Sequence, residues 1–347
     1  MINFLKIRQY LLLLIVVIET GCGINQSSPA ITLPIATIPD IVRHTAFSAN
    51  VRPGPEWAKQ PGISVGYIHS TERDLPPGER TQNDEYVLAD GESFNPLLLL
   101  KSKEPTVALI SVLVDYQQVS FTLDGKFGLL HEVSIEPGSD WEIPFQVSLV
   151  EPGWHDVIVL AFADPYNASL DASYRSTVGM QMVGKRAVVF VGDSTTPARI
   201  MNEPVVGSPV PEAVAYGMNV AFAPADDLSQ HPSERLLYVG EGIADGNMPY
   251  RLWFSNMQGE AGSNYAAVVF HNYHQILVND KDVILFHLEP GQEIVFHASL
   301  LLSSTVGVDQ LQAIFVFDPY KSLLQGEVRA PFVFASDRTV IAAMEPK

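Results

Sequence analysis

Cysteine and positive charge are both scarce in this sequence of 347 residues. The single cysteine is Cys22, so the chain cannot form an internal disulfide, and residues beyond position 22 offer no thiolate for a metal or a nucleophile. Lysine and arginine total 21 against 39 aspartates and glutamates, a formal net charge of −18. Such a surface repels the phosphate backbone of nucleic acids, so we expect no nucleic-acid partner.

Charged residues as a whole are also few, at 17% of the chain, against roughly 25% in ordinary globular proteins. No long window repeats its apolar residues with the 3.6-residue period of a helix. Long helices with exposed charged faces are therefore not expected. The length beyond the first two dozen residues is enough for two domains, each with its own core.

The N-terminus has the pattern of a targeting segment. Lys6 and Arg8 precede nine consecutive apolar residues at 10–18. A helix of that length spans about 14 Å, which is too short for the roughly 30 Å hydrocarbon layer of a membrane. The pattern is typical of a signal peptide, which we predict over residues 1–21.

The apolar run leads through Glu19, Thr20 and Gly21 directly into Cys22. Residues 18–22 resemble the lipobox of bacterial lipoproteins, although Glu19 stands where that pattern prefers an apolar residue. The resemblance implies cleavage before Cys22 and attachment of a diacylglyceryl group to its thiol, and two acyl chains anchor a protein stably. The alternative is an ordinary cleaved signal peptide with an incidental cysteine. We therefore expect an exported protein, lipid-anchored at the cell membrane, the outer membrane or the cell surface.

Residues 22–61 are rich in proline, serine, threonine and alanine. Proline disfavours regular hydrogen-bonded ladders and keeps a chain extended, so this stretch is interpreted as a tether. Because Ile31, Ile35 and Ile38 are scattered through it, part of the stretch could instead pack as an edge strand.

Four short landmarks occur twice in the same order, 153 to 157 residues apart. They are Ala-Asp-Gly at 89–91 and 244–246, a strand-and-turn pattern at 112–119 and 269–276, Glu-Pro-Gly at 136–138 and 289–291, and Asp-Pro-Tyr at 164–166 and 318–320. A repeat this long indicates two copies of a domain, since solenoid units run about 20–50 residues. We predict domain 1 over residues 62–195, a proline-rich linker over 196–214 and domain 2 over 215–347.

Within each copy, short runs of β-branched, apolar and aromatic residues are bounded by Gly, Pro, Asp or Asn, which is typical of strands. Asp124-Gly125 between two such runs predicts a hairpin, and Asn279-Asp280 is the equivalent turn of the second copy. The fold class predicted is all-β, with two tandem antiparallel β-sandwich domains of Ig-like shape and a jelly roll as the alternative. The repeated Glu-Pro-Gly and Asp-Pro-Tyr triplets are interpreted as turns.

One motif suggests an enzyme. Val188–Val191 runs into Gly192-Asp193-Ser194, which resembles the nucleophile block of the Gly-Asp-Ser (SGNH) hydrolases and would imply that Ser194 attacks an ester. That chemistry needs a histidine base and oxyanion donors, which the family supplies through Asp-x-x-His and Gly-x-Asn-Asp blocks on an α/β fold. None of the nine histidines has an aspartate three residues before it, and Asn279-Asp280 lacks the glycine. We therefore interpret Ser194 as part of a strand-end turn and predict no catalytic residue.

Possible metal ligands are also few. Four histidines cluster in the second copy: His271, His274, His287 and His297. On one continuous strand the first two would point to opposite faces, because side chains alternate, so no metal site is predicted. Asp280 and Asp282 match only part of a calcium loop, so no cofactor is predicted and calcium is at most a weak ligand.

Two further patterns are candidates for binding. Residues 240–246 are glycine-rich, but their spacing and the absence of a βαβ pattern exclude a dinucleotide loop. Trp57, Trp141, Trp154 and Trp253 could contribute an aromatic face for sugars, although tryptophans in strand-like runs usually belong to the core.

These observations predict a non-enzymatic lipoprotein of the cell envelope. Its duplicated sandwiches would bind or assemble with a protein or polysaccharide partner, and its lipid anchor would bind the membrane. The alternatives are an extracytoplasmic esterase or glycosidase whose site is not assembled in sequence, and a purely structural envelope spacer.

Overall fold

A computed structural model of the protein describes residues 33–346 except 54–62, 77–78, 81–83, 138–139, 150, 179–180, 194–195, 200–202, 211–219, 227–230, 257–261, 322 and 324–332. The predicted signal peptide, Cys22 and Ser194 lie outside the described residues. Leu33–Lys347 forms one compact unit. In the part of the chain that the structure describes, no helix combines the length and apolarity needed to cross a membrane.

We call residues 33–193 the N-terminal half and residues 196–346 the C-terminal half. The N-terminal half contains a 3-10 turn at Ser70–Glu72, a short α-helix, α1 (Ala172–Val178), and the strands β1 (Ile41–Arg43), β2 (Arg52–Pro53), β3 (Ile63–Ile68), β4 (Glu85–Leu88), β5 (Leu97–Ser102), β6 (Thr106–Val114), β7 (Gln117–Val119), β8 (Phe121–Leu123), β9 (Lys126–Gly128), β10 (Leu130–Ile135), β11 (Trp141–Gln146), β12 (Gly153–Ala163) and β13 (Met182–Val191).

The C-terminal half contains a 3-10 turn at Pro232–Glu234 and the strands β14 (Val205–Val206), β15 (Ser208–Pro209), β16 (Val220–Pro224), β17 (Val239–Ile243), β18 (Asn247–Ser255), β19 (Ser263–His271), β20 (His274–Ile276), β21 (Ile284–Leu288), β22 (Gln292–Leu301), β23 (Gly307–Phe317), β24 (Phe334–Ala335) and β25 (Thr339–Met344).

Each half is built from two sheets, which we call the inner and the outer sheet. The inner sheets have the orders β1-β10-β6-β12-β13-β4 and β14-β21-β19-β23-β25-β17, with the short strands β7 and β20 paired at equivalent places. The outer sheets have the orders β3-β5-β11-β8-β9 and β15-β22-β18-β16. The inner sheets therefore repeat one strand order, which confirms the prediction of an all-β fold made of two repeat-related sandwiches.

The inner sheets are not purely antiparallel, which corrects the sequence-based expectation. Their outermost pairs are parallel: β1 with β10, β4 with β13, β14 with β21 and β17 with β25. These edge strands are reached by long connections, and such connections permit parallel pairing where a tight hairpin does not. The helix α1 was also not identified from sequence, because seven residues are too few for a helical period to show.

A separate apolar core fills the space between the two sheets of each half, as expected for a β-sandwich. In the N-terminal half, for example, Ile110 and Val159 of the inner sheet share the core with Leu98 and Ile143 of the outer sheet, and all four are fully buried. Tyr265, Phe286, Phe254 and Phe315 form the equivalent cluster of rings in the C-terminal half.

The repeated strand-and-turn landmark is a two-residue hairpin in both halves. Asp115 and Tyr116 connect β6 to β7, and Asn272 and Tyr273 connect β19 to β20, with both central residues at positive φ in each case. Asp124-Gly125 forms the predicted hairpin between β8 and β9, also at positive φ. Such turns match the right-handed twist of the strands that they join.

The proline triplets form turns where the structure describes them. Gly291 has φ +76°, and the amide of Gln292 donates to the carbonyl of Glu289 at 3.0 Å, which confirms the second Glu-Pro-Gly turn. The first lies partly outside the described residues at Gly138. Asp164 and Asp318 start the two Asp-Pro-Tyr turns at positive φ.

Each half is preceded by a segment that touches the other half first. Ile35 pairs with Val308 of the C-terminal half before β1 joins the N-terminal half, and Pro197 pairs with Trp154 of the N-terminal half before β14 joins the C-terminal half. Part of the stretch interpreted as a tether therefore packs as an edge strand, the alternative that its isoleucines suggested.

Candidate functional site

The two halves meet through a third apolar core. The faces of the inner sheets that point away from their own sandwiches pack against each other, with Leu109, Leu113 and Phe162 on one side and Phe270 and Ile314 on the other. The rings of Phe162 and Phe270 are perpendicular, with centroids 5.5 Å apart. Both inner sheets are thus buried on both faces, so the junction is a continuous part of the protein interior.

Two glutamines at equivalent repeat positions exchange hydrogen bonds across this junction. The amide of Gln118 donates to Oε1 of Gln275 at 2.6 Å, and the amide of Gln275 donates to Oε1 of Gln118 at 2.9 Å. The Nε2 groups of Gln118 and Gln275 donate to the carbonyls of Tyr273 and Tyr116 respectively, both at 2.9 Å. The two hairpins therefore contact each other reciprocally, as around a local two-fold axis.

A buried ion pair from the N-terminal half holds the second Asp-Pro-Tyr turn. Arg186 and Asp156 have fully buried side chains, and Nε of Arg186 donates to Oδ1 of Asp156 at 2.8 Å. The guanidinium also donates to the carbonyls of Phe317, Asp318 and Lys321. Burial lowers the pKa of Arg186, but the charge and hydrogen bond of Asp156, together with Tyr116 and Asp318, outweigh burial and leave the pKa raised.

The C-terminal half supplies the matching contact. Arg338 is buried and donates through its NH groups to the carbonyls of Ala163, Asp164 and Gln181, at the first Asp-Pro-Tyr turn. Its guanidinium lies 5.5 Å from the ring centre of Tyr273. Each half thus inserts one arginine into the turn of the other, and the paired turns are part of the junction.

The polar groups beside the two hairpins have diverged. In the N-terminal half, Nδ1 of buried His155 lies 2.6 Å from Oδ2 of Asp115. Burial lowers the pKa of His155, but the hydrogen bond and the charge of Asp115 leave it raised. The second half has Asn272 in place of Asp115 and buried Asp309 in place of His155, with Nδ2 of Asn272 donating to Asp309 at 2.6 Å.

A cleft of about 830 Å³ opens at one side of the junction. Its lining is largely apolar and is contributed by both halves and by the segment before β14: Pro152, Thr196, Pro197, Ala198, Arg199, Pro204, Asn264, Tyr265, Leu285, Pro319 and Tyr320. Among the described lining residues, Arg199 carries a positive charge. Its Nη2 donates to Oδ1 and Oδ2 of Asp282 at 2.9 and 2.8 Å. Burial and the nearby carboxylate of Asp115 raise the pKa of Tyr320. A concave, mostly apolar site with a few polar groups is the usual form of a ligand site.

Gly153 fixes the segment that forms one wall of this cleft. Its φ of +132° is a conformation that L-residues rarely adopt, and a Cβ there would lie 2.7 Å from the carbonyl oxygen of Thr196. We expect Gly153→Ala to lower the free energy of unfolding by about 1–3 kcal/mol, measured by urea denaturation. Gly125→Ala is the matched control, because Gly125 has φ +75° with open space around its Cβ position. Equal losses for the two variants would contradict a specific role for the Thr196 contact.

The four histidines do not form one site. His271 and His274 are register partners across a two-residue turn, so they share a face, and the expectation of opposite faces was wrong because the chain reverses between them. Nε2 of His271 lies 3.1 Å from the carboxylate of Asp309. Burial raises the pKa of Asp309, but the hydrogen bonds from His271, Ser303 and Asn272 together lower it more, and the resulting pKa is about 2. His287 bonds to Asn264 and Glu289, and His297 lies on the outer sheet.

Other residues singled out in the sequence are structural where they are described. No group of three or more His, Cys, Asp or Glu within the described residues is placed to hold a metal ion. Asp282 pairs with Arg199, and Asp280 lies in a turn at positive φ. Residues 240–243 belong to the edge strand β17. Trp253 is fully buried and donates to Glu293 at 2.7 Å, while Trp141 packs on Phe47 and Trp57 lies outside the described residues.

The sequence signal for the junction was incomplete. The two hairpins and the two Asp-Pro-Tyr turns are among the repeated landmarks, but the sequence indicates them only as turns. Arg186 and Arg338, which bind those turns from the opposite half, were missed because neither lies in a repeated motif. Arginines in otherwise apolar strand sequences were the available signal, since a buried cation requires partners.

No protein-family model and no curated protein matches the chain. Among solved structures, it is similar to a CARDB domain of Pyrococcus furiosus crystallised with di-metal ions, at 13% identity over 36% of this chain and 86% of that chain, with a TM-score of 0.24. Red sea bream transglutaminase matches at 10% identity over 83% of this chain and 32% of its own, with a TM-score of 0.23.

The two tandem V-type regions of a v-region-containing chitin binding protein match at 10% identity over 81% of this chain and 99% of that chain, with a TM-score of 0.23. With TM-scores this low, none of these similarities supports an inference about binding or activity.

Proposed function

We propose that the chain is an exported lipoprotein, anchored through Cys22, whose fused pair of β-sandwiches is a non-enzymatic module for binding or assembly with a protein or glycan partner. The observation that carries the proposal is the junction. A shared apolar core, reciprocal glutamine bonds and two inserted arginines join the sandwiches into one body. A body of this kind presents its surfaces in a fixed relation, which lowers the entropy lost when a partner binds.

The cleft supports a binding role beyond that of a spacer. It is lined from both halves, so it exists only when they are joined. Tyr265 of its lining aligns with Ala108 of the first half, as both lie on the central strand of their inner sheets. Divergence of this kind between two copies is consistent with selection for a ligand at one of them.

The binding proposal is tested with the full chain immobilised by its lipid anchor in vesicles. Envelope extracts and a glycan array are probed, and capture of a defined protein or glycan is expected. Ala198→Trp, which fills the cleft, should weaken binding at least tenfold if the cleft is the site. Ala172→Trp on the exposed helix α1 is the matched control and should not. If neither the envelope extracts nor the glycan array yield a bound partner, the result would contradict the proposal and favour a structural spacer.

The anchor is tested by mass spectrometry of the membrane fraction. A mature N-terminus at Cys22 carrying a diacylglyceryl group is expected, and Cys22→Ser should release the protein from the membrane. An unmodified Cys22 in the wild-type protein would contradict the lipoprotein assignment. Esterase or glycosidase activity on chromogenic substrates that disappears in Ser194→Ala would overturn the non-enzymatic assignment.

A further inference from the structure

A short segment after residue 40 is strapped across one edge of the N-terminal half. We call residues 41–51 the N-terminal strap. It contributes β1, which adds to β10 in parallel over three residues, and the amide of His44 extends this ladder to the carbonyl of Glu132 at 3.1 Å. Beyond it, Ser48 bonds to the carboxylate of Asp124 through its amide and its hydroxyl. A three-residue parallel edge strand is a weak attachment.

Two buried histidines bond to each other, His44 of the strap and His131 of β10. Nε2 of His44 lies 2.9 Å from Nδ1 of His131, and Nε2 of His131 lies 3.3 Å from the carbonyl oxygen of Phe121. A carbonyl only accepts, so His131 carries its proton on Nε2 and its Nδ1 accepts from His44. Both rings are then neutral. The remaining nitrogen, Nδ1 of His44, is buried with no hydrogen-bond partner in the described structure.

This arrangement has no place for an added proton. A proton on Nδ1 of His131 would set two N–H donors against each other and break the bond to the strap. A proton on Nδ1 of His44 would create a buried cation without an acceptor, which is costly. We propose that the N-terminal strap is an acid-operated latch: proton uptake by the His44–His131 pair releases residues 41–51 from the edge of the sheet.

Burial, followed by nearby positive charge, opposes protonation of the closed form. Burial, followed by His44, lowers the pKa of His131 to about 4, and burial, followed by Lys126, lowers that of His44, with Asp124 acting weakly in the opposite direction. Lys126 is held over the strap by its bond to the carbonyl of Arg43 at 3.1 Å. The charged residues next to the two histidines in the sequence, Arg43 and Glu132, pair with each other.

The pH dependence of strap release is set by the difference in histidine pKa between the closed and the released strap. A released histidine has an ordinary pKa of about 6.5, so the open strap binds protons that the closed strap excludes. Closing is fully favoured above pH 6.5 and is weakened as the pH falls from 6.5 to about 4. For one coupled proton the closing equilibrium falls about tenfold per pH unit in this window.

The test uses the full chain with Cys22→Ser and a nitroxide on Ala49→Cys, an exposed strap position. Electron paramagnetic resonance should report an immobile label at pH 7.5 and a mobile one by pH 4, while the far-UV circular dichroism of the body is retained. Replacing both histidines with glutamine (His44→Gln with His131→Gln), whose amides can bond without titrating, should abolish the transition. Asp124→Asn should leave it in place. Gly128→Ala should mobilise the label at every pH, because the added Cβ would lie 2.4 Å from Val42 of the strap.

Three results would overturn the latch. They are a label that stays immobile down to pH 4, an unchanged transition in the variant with both histidines replaced by glutamine, and a loss of sheet signal with the same midpoint as the label. Loss of the transition in Asp124→Asn would assign the transition to the carboxylate of Asp124, and this result would overturn the histidine latch as well. None of these outcomes depends on the identity of a partner or on lipid attachment, so the latch and the proposed function can fail separately.

Discussion

Replacing Arg186 with methionine is expected to lower the free energy of unfolding by about 3–5 kcal/mol. The change leaves the carboxylate of Asp156 fully buried without its counter-charge, and it removes the donors to the carbonyls of Phe317, Asp318 and Lys321. Breaking a buried pair by removing one partner is costly because the remaining charge stays desolvated. Urea denaturation followed by far-UV circular dichroism measures the effect.

Lys185→Met is the matched control for that experiment. Lys185 precedes Arg186 on β13 and pairs with Asp84 at 2.7 Å, but both side chains are partly exposed. A loss of only about 0–1 kcal/mol is therefore expected. Similar losses for Lys185→Met and Arg186→Met would show that Arg186 acts as an ordinary surface cation, contrary to its place in the junction.

Phe270→Ala should have an effect of similar size through a different mechanism. Phe270 belongs to the inner sheet of the C-terminal half, but its buried ring packs against Phe162 of the N-terminal half. Truncating a buried phenylalanine removes apolar burial and leaves a cavity, at a cost of about 3–5 kcal/mol. Because the cavity opens between the halves, the loss should appear as a lower midpoint for the entire body.

Phe127→Ala is the control for the aromatic truncation. Phe127 lies on β9 of the N-terminal half with 71% of its surface exposed, so its loss should change stability by less than about 0.5 kcal/mol. A Phe270→Ala variant in which the C-terminal half melts early while the N-terminal half keeps its wild-type midpoint would show that the shared core does not couple the halves.

The fold was predictable because the turns that separate its strands are specified by local sequence. Asp124-Gly125, Asn279-Asp280 and the repeated triplets require positive φ or a fixed proline φ, and these demands are readable in the sequence without knowing the tertiary structure. The repeat offset then implied that whatever the first copy forms, the second forms also. Edge strands were less predictable, since β1 and β14 are only three and two residues long and pair with strands far away in the sequence.

The junction could not be predicted from sequence for a physical reason. An inner-sheet strand buried on both faces is a continuous apolar run, as in β6 and β12, but the pattern does not say whether its second face meets a helix, another copy or a partner. The contacts of Arg186 with Asp318 and of Arg338 with Asp164 join residues well over 100 positions apart. The His44–His131 pair likewise depends on which residue the strap places over β10.

The two sandwiches share one interior and are therefore expected to unfold together. Differential scanning calorimetry of the full chain tests it most directly. We expect a single transition whose calorimetric and van't Hoff enthalpies agree, with a ratio of about 1, and a displacement of that whole transition in Arg186→Met. Two separable transitions, of which Arg186→Met moves only one, would contradict it.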